Sequence, residues 1–331
     1  MFLQHTQKGK EIIMNAPVDF KAIEGMFQRH YEQLEVRFDP KLAIAWTYMN
    51  PSGAPCFNTG LLTDLRAHDH ALEMSGGYVP FEGRLCQAHY HVLASRTQGI
   101  YNLGGDLASF AQFILSHDHD GLMRYATLCI DDIFARIRNY NAPITTVSLV
   151  QGDALGGGFE TALSSNVVIA ERSAKMGLPE ILFNLFPGMG AYSLLARRVG
   201  PKRAEEMILS GRIYTAQELL DLGVVDILAE DGAGEAAVYD YARGNERRRN
   251  GAQAVFRCRQ HVNPISYEEL LNITKIWVEA ALHLEERDLK LMNRLVRAQL
   301  KRVRGESGVR APQKQIALQR QVAPQMQFAT A

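Results

Sequence analysis

The stretch that decides the fold is VQGDALGGGFETALSSNVVIAERSAKMGLPE, residues 150–180. A β-rich run at 144–150 leads into three consecutive glycines (156–158), and segment 159–164 then has a helical pattern. A glycine loses more backbone freedom on folding than any other residue, so a triplet indicates a place where the backbone itself must be approached closely. The stretch therefore predicts a row of exposed backbone amides beside a carboxylate, Glu160.

Three familiar site motifs do not fit the glycine segment. The phosphate-binding loop has two glycines five residues apart, followed directly by a lysine and a serine or threonine. Gly152 and Gly157 have that spacing, but Gly158 and Phe159 stand where the lysine and the hydroxyl residue should be. The dinucleotide fingerprint fails because Thr161 takes the place of its third glycine. The sequence contains no G-x-S-x-G nucleophile elbow. Two interpretations remain: a helix N-terminus that binds a transient oxyanion, or a tight strand–helix packing turn.

Two further segments favour a catalytic site over simple packing. Glu180 lies 20 residues after Glu160 (180 − 160 = 20), and a buried strand at 167–171 followed by a turn lets the chain double back. The position of Glu180 after Pro179 also fits stabilisation of a helix N-terminus. A second turn, Asn-Leu-Gly-Gly-Asp at 102–106, follows a strand and precedes a helix. Together these segments predict two carboxylates and two amide-presenting turns at one site.

The remaining pattern alternates strands with helices, which predicts an α/β fold. Strands are expected at 36–48, with a break at Asp39-Pro40, and at 90–101. Helices are expected at 61–73, 107–115 and 122–138 from the spacing of apolar residues.

The C-terminal third is predicted to be mostly helical. Thr215 with Glu218 and Ser266 with Glu269 fit the capping box, and the second box opens a helical pattern over 266–302. We divide the chain into four parts: an N-terminal extension (1–35), a catalytic core (36–230), a C-terminal helical region (231–305) and a disordered tail (306–331).

Composition excludes several classes of protein. The 331 residues include 36 Lys+Arg and 36 Asp+Glu, so the formal net charge is zero. The chain as a whole therefore lacks the positive charge that is typical of nucleic-acid-binding proteins. The N-terminus does not read as a signal peptide, and no run of about 18 apolar residues could cross a bilayer. We expect a cytoplasmic protein that does not act at a membrane. Four widely spaced cysteines are expected to be reduced thiols: Cys56, Cys86, Cys129 and Cys258.

Two histidine pairs have a metal-like appearance. His68 and His70 flank one aspartate, and His117 and His119 flank another. Side chains at i and i+2 do not share a helix face, and no further ligands are evident in the sequence. We therefore predict no metal and no other cofactor.

The sequence resembles the crotonase superfamily, which has the enoyl-CoA hydratase/isomerase fold. Residues 150–200 are similar to that family's central motif nearly throughout. YNLGGDL (101–107) resembles its first oxyanion turn, and TAQELLDLGVVDIL (215–228) resembles the segment before its C-terminal helices. The resemblance implies a spiral of ββα turns with a C-terminal helical region, acyl thioester substrates and a homotrimer or hexamer.

The resemblance also implies the site residues. Glu160 and Glu180 would be catalytic, and the amides of Leu103 and Gly157 would form the oxyanion hole. Retention of both glutamates favours hydration–dehydration over isomerisation or decarboxylation. The candidate substrate-binding residues are Gly104, Gly105, Gly156, Gly158, Phe183, Met189 and Trp277.

Within the superfamily the chain most resembles the diffusible signal factor synthases. The resemblance lies in NLGGDL (102–107), PCFN (55–58) and a longer helical insert at 110–139. Such enzymes dehydrate a 3-hydroxyacyl thioester on acyl carrier protein to the cis-2-enoyl form. They then hydrolyse the thioester and release a free unsaturated fatty acid as a quorum-sensing signal.

The resemblance to this branch implies a medium-chain substrate, such as 3-hydroxydodecanoyl, carried by acyl carrier protein or CoA. It also implies a signalling sensor or regulator protein as a second partner. Two alternatives stay open. One is an enoyl-CoA hydratase of fatty-acid degradation, and the other is a non-catalytic regulator built on the same scaffold. Two segments are basic, 247–249 and 290–304. Each can be a solvated helix face, or a surface that docks an acidic carrier protein or a phosphate of CoA.

Overall fold

The computed structural model describes residues 20–303. The predicted disordered tail (306–331) lies outside that range, as do residues 1–19 of the predicted N-terminal extension. The strands are β1 (Leu34–Asp39), β2 (Ile44–Met49), β3 (Tyr78–Phe81), β4 (Arg84–Gln87), β5 (Tyr90–Ser95), β6 (Ile100–Asn102), β7 (Thr145–Val150), β8 (Asp153–Leu155), β9 (Val167–Glu171), β10 (Lys175–Gly177), β11 (Ile213–Thr215) and β12 (Ile227–Ala229).

Helices fill the segments between strands and the C-terminal third. The α-helices are α1 (Phe20–Phe27), α2 (Thr59–Met74), α3 (Leu107–Leu115), α4 (His119–Ile137), α5 (Gly157–Leu163), α6 (Ala191–Val199), α7 (Pro201–Ser210), α8 (Ala216–Asp221), α9 (Gly234–Asn245), α10 (Arg249–Val262), α11 (Tyr267–Leu282) and α12 (Glu286–Val303). Two 3₁₀ helices span Asn139–Asn141 and Pro179–Phe183.

Two sheets organise the chain. The larger sheet has the order β1-β2-β5-β7-β9-β12, and its pairs are parallel except β1 with β2. The smaller sheet has the order β11-β10-β8-β6, in which only the β10–β11 pair is antiparallel. Strands β3 and β4 form a separate hairpin.

The path of the chain through these sheets is a repeated ββα turn. Each turn places one strand in the larger sheet, the next strand in the smaller sheet and then a helix, as in β5–β6–α3 and β7–β8–α5. Strands β5 (YHVLAS) and β7 (TTVSLV) are buried along their whole length, so their polar side chains need hydrogen-bond partners inside the protein. The predicted α/β class, the spiral of ββα turns and the C-terminal helical region are confirmed.

The predicted N-terminal strand with its break is confirmed, although the first strand begins at Leu34 and the second ends at Met49. The expected break at Asp39-Pro40 separates β1 from β2, which pair in an antiparallel hairpin with Asp39 opposite Ile44. The Asp39 carboxylate accepts the Lys41 amide at 2.8 Å and so stabilises the turn.

The prediction of one helix over 266–302 is wrong. Helix α11 ends at Leu282 and α12 begins at Glu286. The Asp288 carboxylate accepts the Glu285 amide at 3.0 Å and the Asn184 side-chain amide at 3.2 Å. These hydrogen bonds satisfy an amide at the new helix start and tie it to the 3₁₀ helix that carries Glu180.

The two capping boxes differ. The box of Thr215 and Glu218 is confirmed in full. Ser266 accepts the Glu269 amide, but the Glu269 carboxylate binds Arg197 at 2.8 Å instead of returning to the helix N-terminus. The predicted reciprocal contact is lost there because a guanidinium is a stronger partner than a backbone amide.

Candidate active site

The glycine triplet lies between β8 and α5, and its three members have different environments. The Gly156 amide donates to the Gly177 carbonyl oxygen at 2.9 Å. A side chain on Gly158 would place its Cβ 2.1 Å from the Asn102 carbonyl oxygen, so this residue serves close packing. The Gly157 amide, at the helix N-terminus, has no hydrogen-bond partner within residues 20–303. Of the three glycines, Gly157 has an unpartnered amide among the described residues and also lines the cavity, so its amide is the one placed to bind an anion there.

The second turn contradicts the prediction that Leu103 is an oxyanion donor. The Leu103 amide donates to the Pro55 carbonyl oxygen at 2.8 Å, because segment 55–57 runs alongside the turn. The Gly104 amide donates to Asn102 Oδ1 at 2.8 Å. The Gly105 amide has no partner in the part of the chain that the structure describes. The available donor in this turn is thus Gly105, two residues beyond the predicted one.

The two turns touch backbone to backbone. A Cβ on Gly104 would lie 2.8 Å from the Leu155 carbonyl oxygen and 3.1 Å from the Gly157 amide nitrogen. Gly104 also has a φ of +93°, which residues with side chains rarely adopt. This contact brings the Gly105 turn and the Gly157 turn to the same site.

Tyr125 holds the first turn in place from α4. Its hydroxyl donates to the Phe57 carbonyl oxygen and accepts the Asp106 amide at 3.1 Å. Asp106 in turn caps α3, where its carboxylate accepts the amides of Ala108 and Ser109. The position of the Gly105 amide is therefore fixed from both sides.

Glu160 lies on α5, one turn after Gly157, and is 1% exposed. Its Oε1 accepts the Ala191 amide at 2.9 Å, at the N-terminus of α6. Burial raises the pKa of the Glu160 carboxyl well above its usual range, and the nearby Glu180 charge raises this pKa further. The folded environment therefore stabilises the protonated form of the Glu160 carboxyl relative to its charged form.

Glu180 lies in the 3₁₀ helix Pro179–Phe183 and faces the same site. Its Oε1 packs over the Gly156 backbone, where a Cβ would come within 2.2 Å. Its Oε2 is buried and has no hydrogen-bond partner within residues 20–303. Burial raises the pKa of Glu180 to about 7. The structure thus brings Glu160 and Glu180 together, as the sequence predicted, and leaves one carboxylate oxygen free for a ligand.

A cavity of about 390 Å³ joins the carboxyl pair to the two glycine turns. Its walls are largely apolar. The predicted residues that line it are Leu103, Gly104, Gly105, Gly156, Gly157, Glu160, Glu180, Phe183, Met189 and Trp277. Gly158, predicted to bind substrate, does not line the cavity and instead packs against Asn102.

The helix around Phe110 was expected from the sequence to line an acyl pocket, but the part of the wall that α4 contributes was missed. The Phe110 ring packs edge-to-face on Tyr125 at 4.9 Å and on Trp277 at 5.1 Å between centroids. Cys129, one turn after Tyr125 on α4, also lines the cavity. In the sequence these α4 residues belong to an ordinary apolar helix stripe, which gave no signal that separates cavity from core.

The metal-like histidine pairs have other roles. His68 is buried, with its ring packed edge-on against Phe27 and Tyr31. Asp118, between the second pair, caps α4 by accepting the Gly121 amide. Among residues 20–303, no cluster of three or more His, Cys, Asp or Glu side chains could hold a metal ion. In the same range, no helix combines the length and apolarity needed to cross a membrane.

Comparison with known proteins places the chain in a family. The profile of the enoyl-CoA hydratase/isomerase family matches residues 87–301, which is more than half of the chain. The chain belongs to the enoyl-CoA hydratase/isomerase family. The matched region contains both glycine turns and both glutamates of the site.

Curated relatives of this family member include hydratases. A protein of Bacillus subtilis described as "Probable enoyl-CoA hydratase" is 34% identical over 143 residues, 43% of this chain and 52% of the relative. The mitochondrial methylglutaconyl-CoA hydratase of Mus musculus is 33% identical over 147 residues, 44% of this chain and 45% of the relative. The chain thus spans about half the length of the curated relatives it matches.

Solved structures share the fold of this family member. Enoyl-CoA hydratase from Bacillus halodurans superposes with a TM-score of 0.66 at 18% identity, over 80% of this chain and 100% of that chain. DspI from Pseudomonas aeruginosa superposes with a TM-score of 0.60 at 22% identity, over 81% of this chain and 89% of that chain. At these identities the likeness concerns the fold.

Proposed function

We propose that this chain is a diffusible signal factor synthase. It dehydrates a medium-chain 3-hydroxyacyl thioester on acyl carrier protein to the cis-2-enoyl thioester, then hydrolyses the thioester to a free cis-2-unsaturated fatty acid. The observation that carries the proposal is the pair of buried carboxyls, Glu160 and Glu180, at one apolar cavity with two glycine amides that have no hydrogen-bond partner among residues 20–303.

The carboxyl pair suits dehydration because it can hold a single proton. Loss of water from a 3-hydroxyacyl group requires a base for the C2 proton and an acid for the departing 3-hydroxyl. Burial raises the pKa of both carboxyls, to about 7 for Glu180, and the Glu180 charge adds to the rise at Glu160. The pair can therefore supply one carboxylate as the base and one protonated carboxyl as the acid.

The glycine amides suit both steps. In dehydration, the amides of Gly105 and Gly157 stabilise the enolate oxygen that forms when the C2 proton leaves. In hydrolysis, a water activated by a glutamate attacks the thioester carbonyl, and the same amides hold the tetrahedral oxyanion. Collapse of that intermediate releases the thiol of the carrier and the free acid, so water and thioester give acid and thiol in equal amounts.

The apolar wall suits an acyl chain. Phe110, Trp277 and Phe183 lie around the cavity, and the polar groups that face it are concentrated at the glycine turns and the glutamates. A medium-length chain would be held by removal of its methylene groups from water, at about 0.8 kcal/mol for each one buried.

The direct test is product identity. The protein is incubated with 3-hydroxydodecanoyl carrier protein, and the products are resolved by liquid chromatography and mass spectrometry against cis- and trans-2-dodecenoic acid standards. We expect free cis-2-dodecenoic acid together with free carrier thiol. The Glu160→Gln variant should form neither product.

The second candidate is an enoyl-CoA hydratase of fatty-acid degradation, favoured by the curated relatives whose names describe CoA hydratases. It predicts reversible interconversion of enoyl-CoA and 3-hydroxyacyl-CoA without release of free thiol. A thiol-reactive dye added to the same assay separates the two candidates. Interconversion with no thiol release would reject the synthase and support the hydratase.

A further inference from the structure

Helix α12 carries a basic face that no step of the proposed chemistry uses. Lys290, Arg294 and Arg297 are all exposed, and their spacing of four and three residues puts them on one side of the helix. Exposed Leu291 lies beside them, on the side of the helix that carries Leu295 and Ala298. We call Lys290, Arg294 and Arg297 the α12 basic face. With a rise of about 1.5 Å per residue, the row of charges extends over about 10 Å.

The α12 basic face borders the opening of the cavity. Most of the cavity's lining residues are buried or half-buried, but Leu182, Ile213 and Ala298 are exposed and mark where it reaches solvent. Leu295 and Ala298 belong to α12, and each directly follows an arginine of the basic face. Helix α12 therefore presents apolar side chains to the cavity and cationic side chains beside its opening.

The two arginines are not neutralised by their surroundings. Lys290 forms an ion pair with Glu286 at 2.7 Å. Among the described residues, neither Arg294 nor Arg297 has an ion pair or a hydrogen bond through its side chain. Two exposed guanidinium groups beside a cavity opening form a site for an anionic partner.

We propose that the α12 basic face docks the acidic carrier protein that delivers the acyl chain, an inference that rests on the proposed function. A carrier protein holds its acyl group on a flexible phosphopantetheine arm, so its own surface must lie close to the opening that the acyl group enters. The face offers a row of cations, with the exposed apolar residue Leu291 beside it. That row is complementary to a row of carboxylates on a protein surface, whereas a CoA phosphate would engage one point of it.

The test compares substrates that share the acyl thioester but differ in carrier. The double variant Arg294→Glu/Arg297→Glu is assayed with 3-hydroxydodecanoyl groups on carrier protein, on CoA and on N-acetylcysteamine. We expect KM for the carrier-protein substrate to rise at least about tenfold, with kcat near the wild-type value. Activity on the N-acetylcysteamine thioester should be unchanged, and activity on CoA should change less than twofold.

A matched control places the same charge change elsewhere. Arg247 and Arg248 are exposed at the junction of α9 and α10, and neither lines the cavity. The variant Arg247→Glu/Arg248→Glu should behave as wild type with all three substrates. Binding of the carrier protein to the wild type should weaken with added salt, and the α12 variant should lose most of that salt dependence.

Several results would overturn the proposal. Equal losses on carrier protein and CoA would assign the face to a phosphate of CoA. A larger loss in the Arg247/Arg248 control would move docking to α9–α10. Losses on every substrate with a changed oligomeric state in mass photometry would make the face an interface between copies of the chain. If the wild type turned over no thioester at all, the proposed function itself would fail, and this inference with it.

Discussion

Two buried polar regions lie along the same face of one helix, α4, and they are built in different ways. Tyr125 and Cys129 line the cavity, while Arg136, two turns after Cys129 on the same face, lies in the core beyond it. In the cavity, Glu180 keeps a buried oxygen without a partner. The Arg136 guanidinium, by contrast, donates to the Val147 carbonyl oxygen and to five side chains. These side chains belong to His91, Tyr140, Ser148, Ser164 and Ser165.

The Arg136 cluster also fixes the state of its histidine. The Arg136 guanidinium can only donate, so His91 Nδ1 must accept and the ring proton lies on Nε2, facing Thr47 Oγ1 at 2.8 Å. Burial lowers the pKa of His91 well below its usual range. Arg136, whose guanidinium is fully partnered, supports the fold, whereas Glu180, with a buried oxygen at the cavity that has no partner among residues 20–303, is placed for chemistry.

The largest expected effect is on catalysis by the carboxyl pair. Glu160→Gln and Glu180→Gln should each lower kcat by about 10²–10⁴-fold, because each removes the acid or the base of the dehydration step. Single-turnover measurement of acid release checks this prediction. Glu279→Gln, on an exposed glutamate of α11, is the matched control and should keep full activity. Retention of wild-type kcat in either cavity variant would place the chemistry elsewhere.

The next effect is on stability and belongs to the Arg136 cluster. Arg136→Met should lower the free energy of unfolding by about 3–5 kcal/mol, because it leaves buried hydroxyls and the nearby Asp69 without their cation. Urea denaturation measures the loss. Arg138→Met changes an exposed arginine two residues away and should cost no more than about 0.5 kcal/mol. Equal stability of Arg136→Met and the wild type would break the proposed contrast.

The sequence predicts one of these regions far better than the other. Glu160 and its glycine turn lie within one short stretch, and Glu180 follows at a fixed spacing, so the carboxyl pair is a local pattern. The burial of Arg136 depends on His91 of β5 and on serines after α5, which only the tertiary fold brings together. An arginine on an amphipathic helix is otherwise expected to face solvent.

The same limit explains the error at the first turn. The local sequence identifies a Gly-Gly-Asp turn between a strand and a helix, but not which of its amides is free. That depends on segment 55–57, which pairs with the turn and takes the Leu103 amide. Likewise, the break between α11 and α12 depends on a hydrogen bond from Asn184 to Asp288 that no helical pattern records.

A smaller effect tests the electrostatic side of the comparison. A carboxyl whose pKa is raised on folding binds its proton more tightly in the folded state. For Glu180 this contribution to stability is fully present below the unfolded pKa of about 4.5 and is lost as the pH rises toward about 7. Glu180→Gln should therefore be more stable than the wild type at pH 8, by about 1–2 kcal/mol, with little difference at pH 4.5.

Urea denaturation at the two pH values measures that difference. Glu279→Gln should show no such pH-dependent gain, since its side chain is exposed in both states. A Glu180→Gln variant less stable than the wild type at pH 8 would mean that the carboxylate is well stabilised in the cavity, contrary to the free oxygen described above.

The smallest effect compares two tyrosine hydroxyls, one in each region. Tyr125 joins the Phe57 carbonyl to the Asp106 amide beside the Gly105 donor, and Tyr140 hydrogen-bonds with His91 and Arg136. Removing either hydroxyl should cost about 1 kcal/mol. We expect that cost in the activation free energy for Tyr125 and in the free energy of unfolding for Tyr140. Tyr125→Phe should lower kcat about fivefold with KM little changed, because the turn that carries the oxyanion donor is loosened. Tyr140→Phe should instead lower the free energy of unfolding and leave kcat intact, and the reverse pattern would show that the two regions are not separate in function.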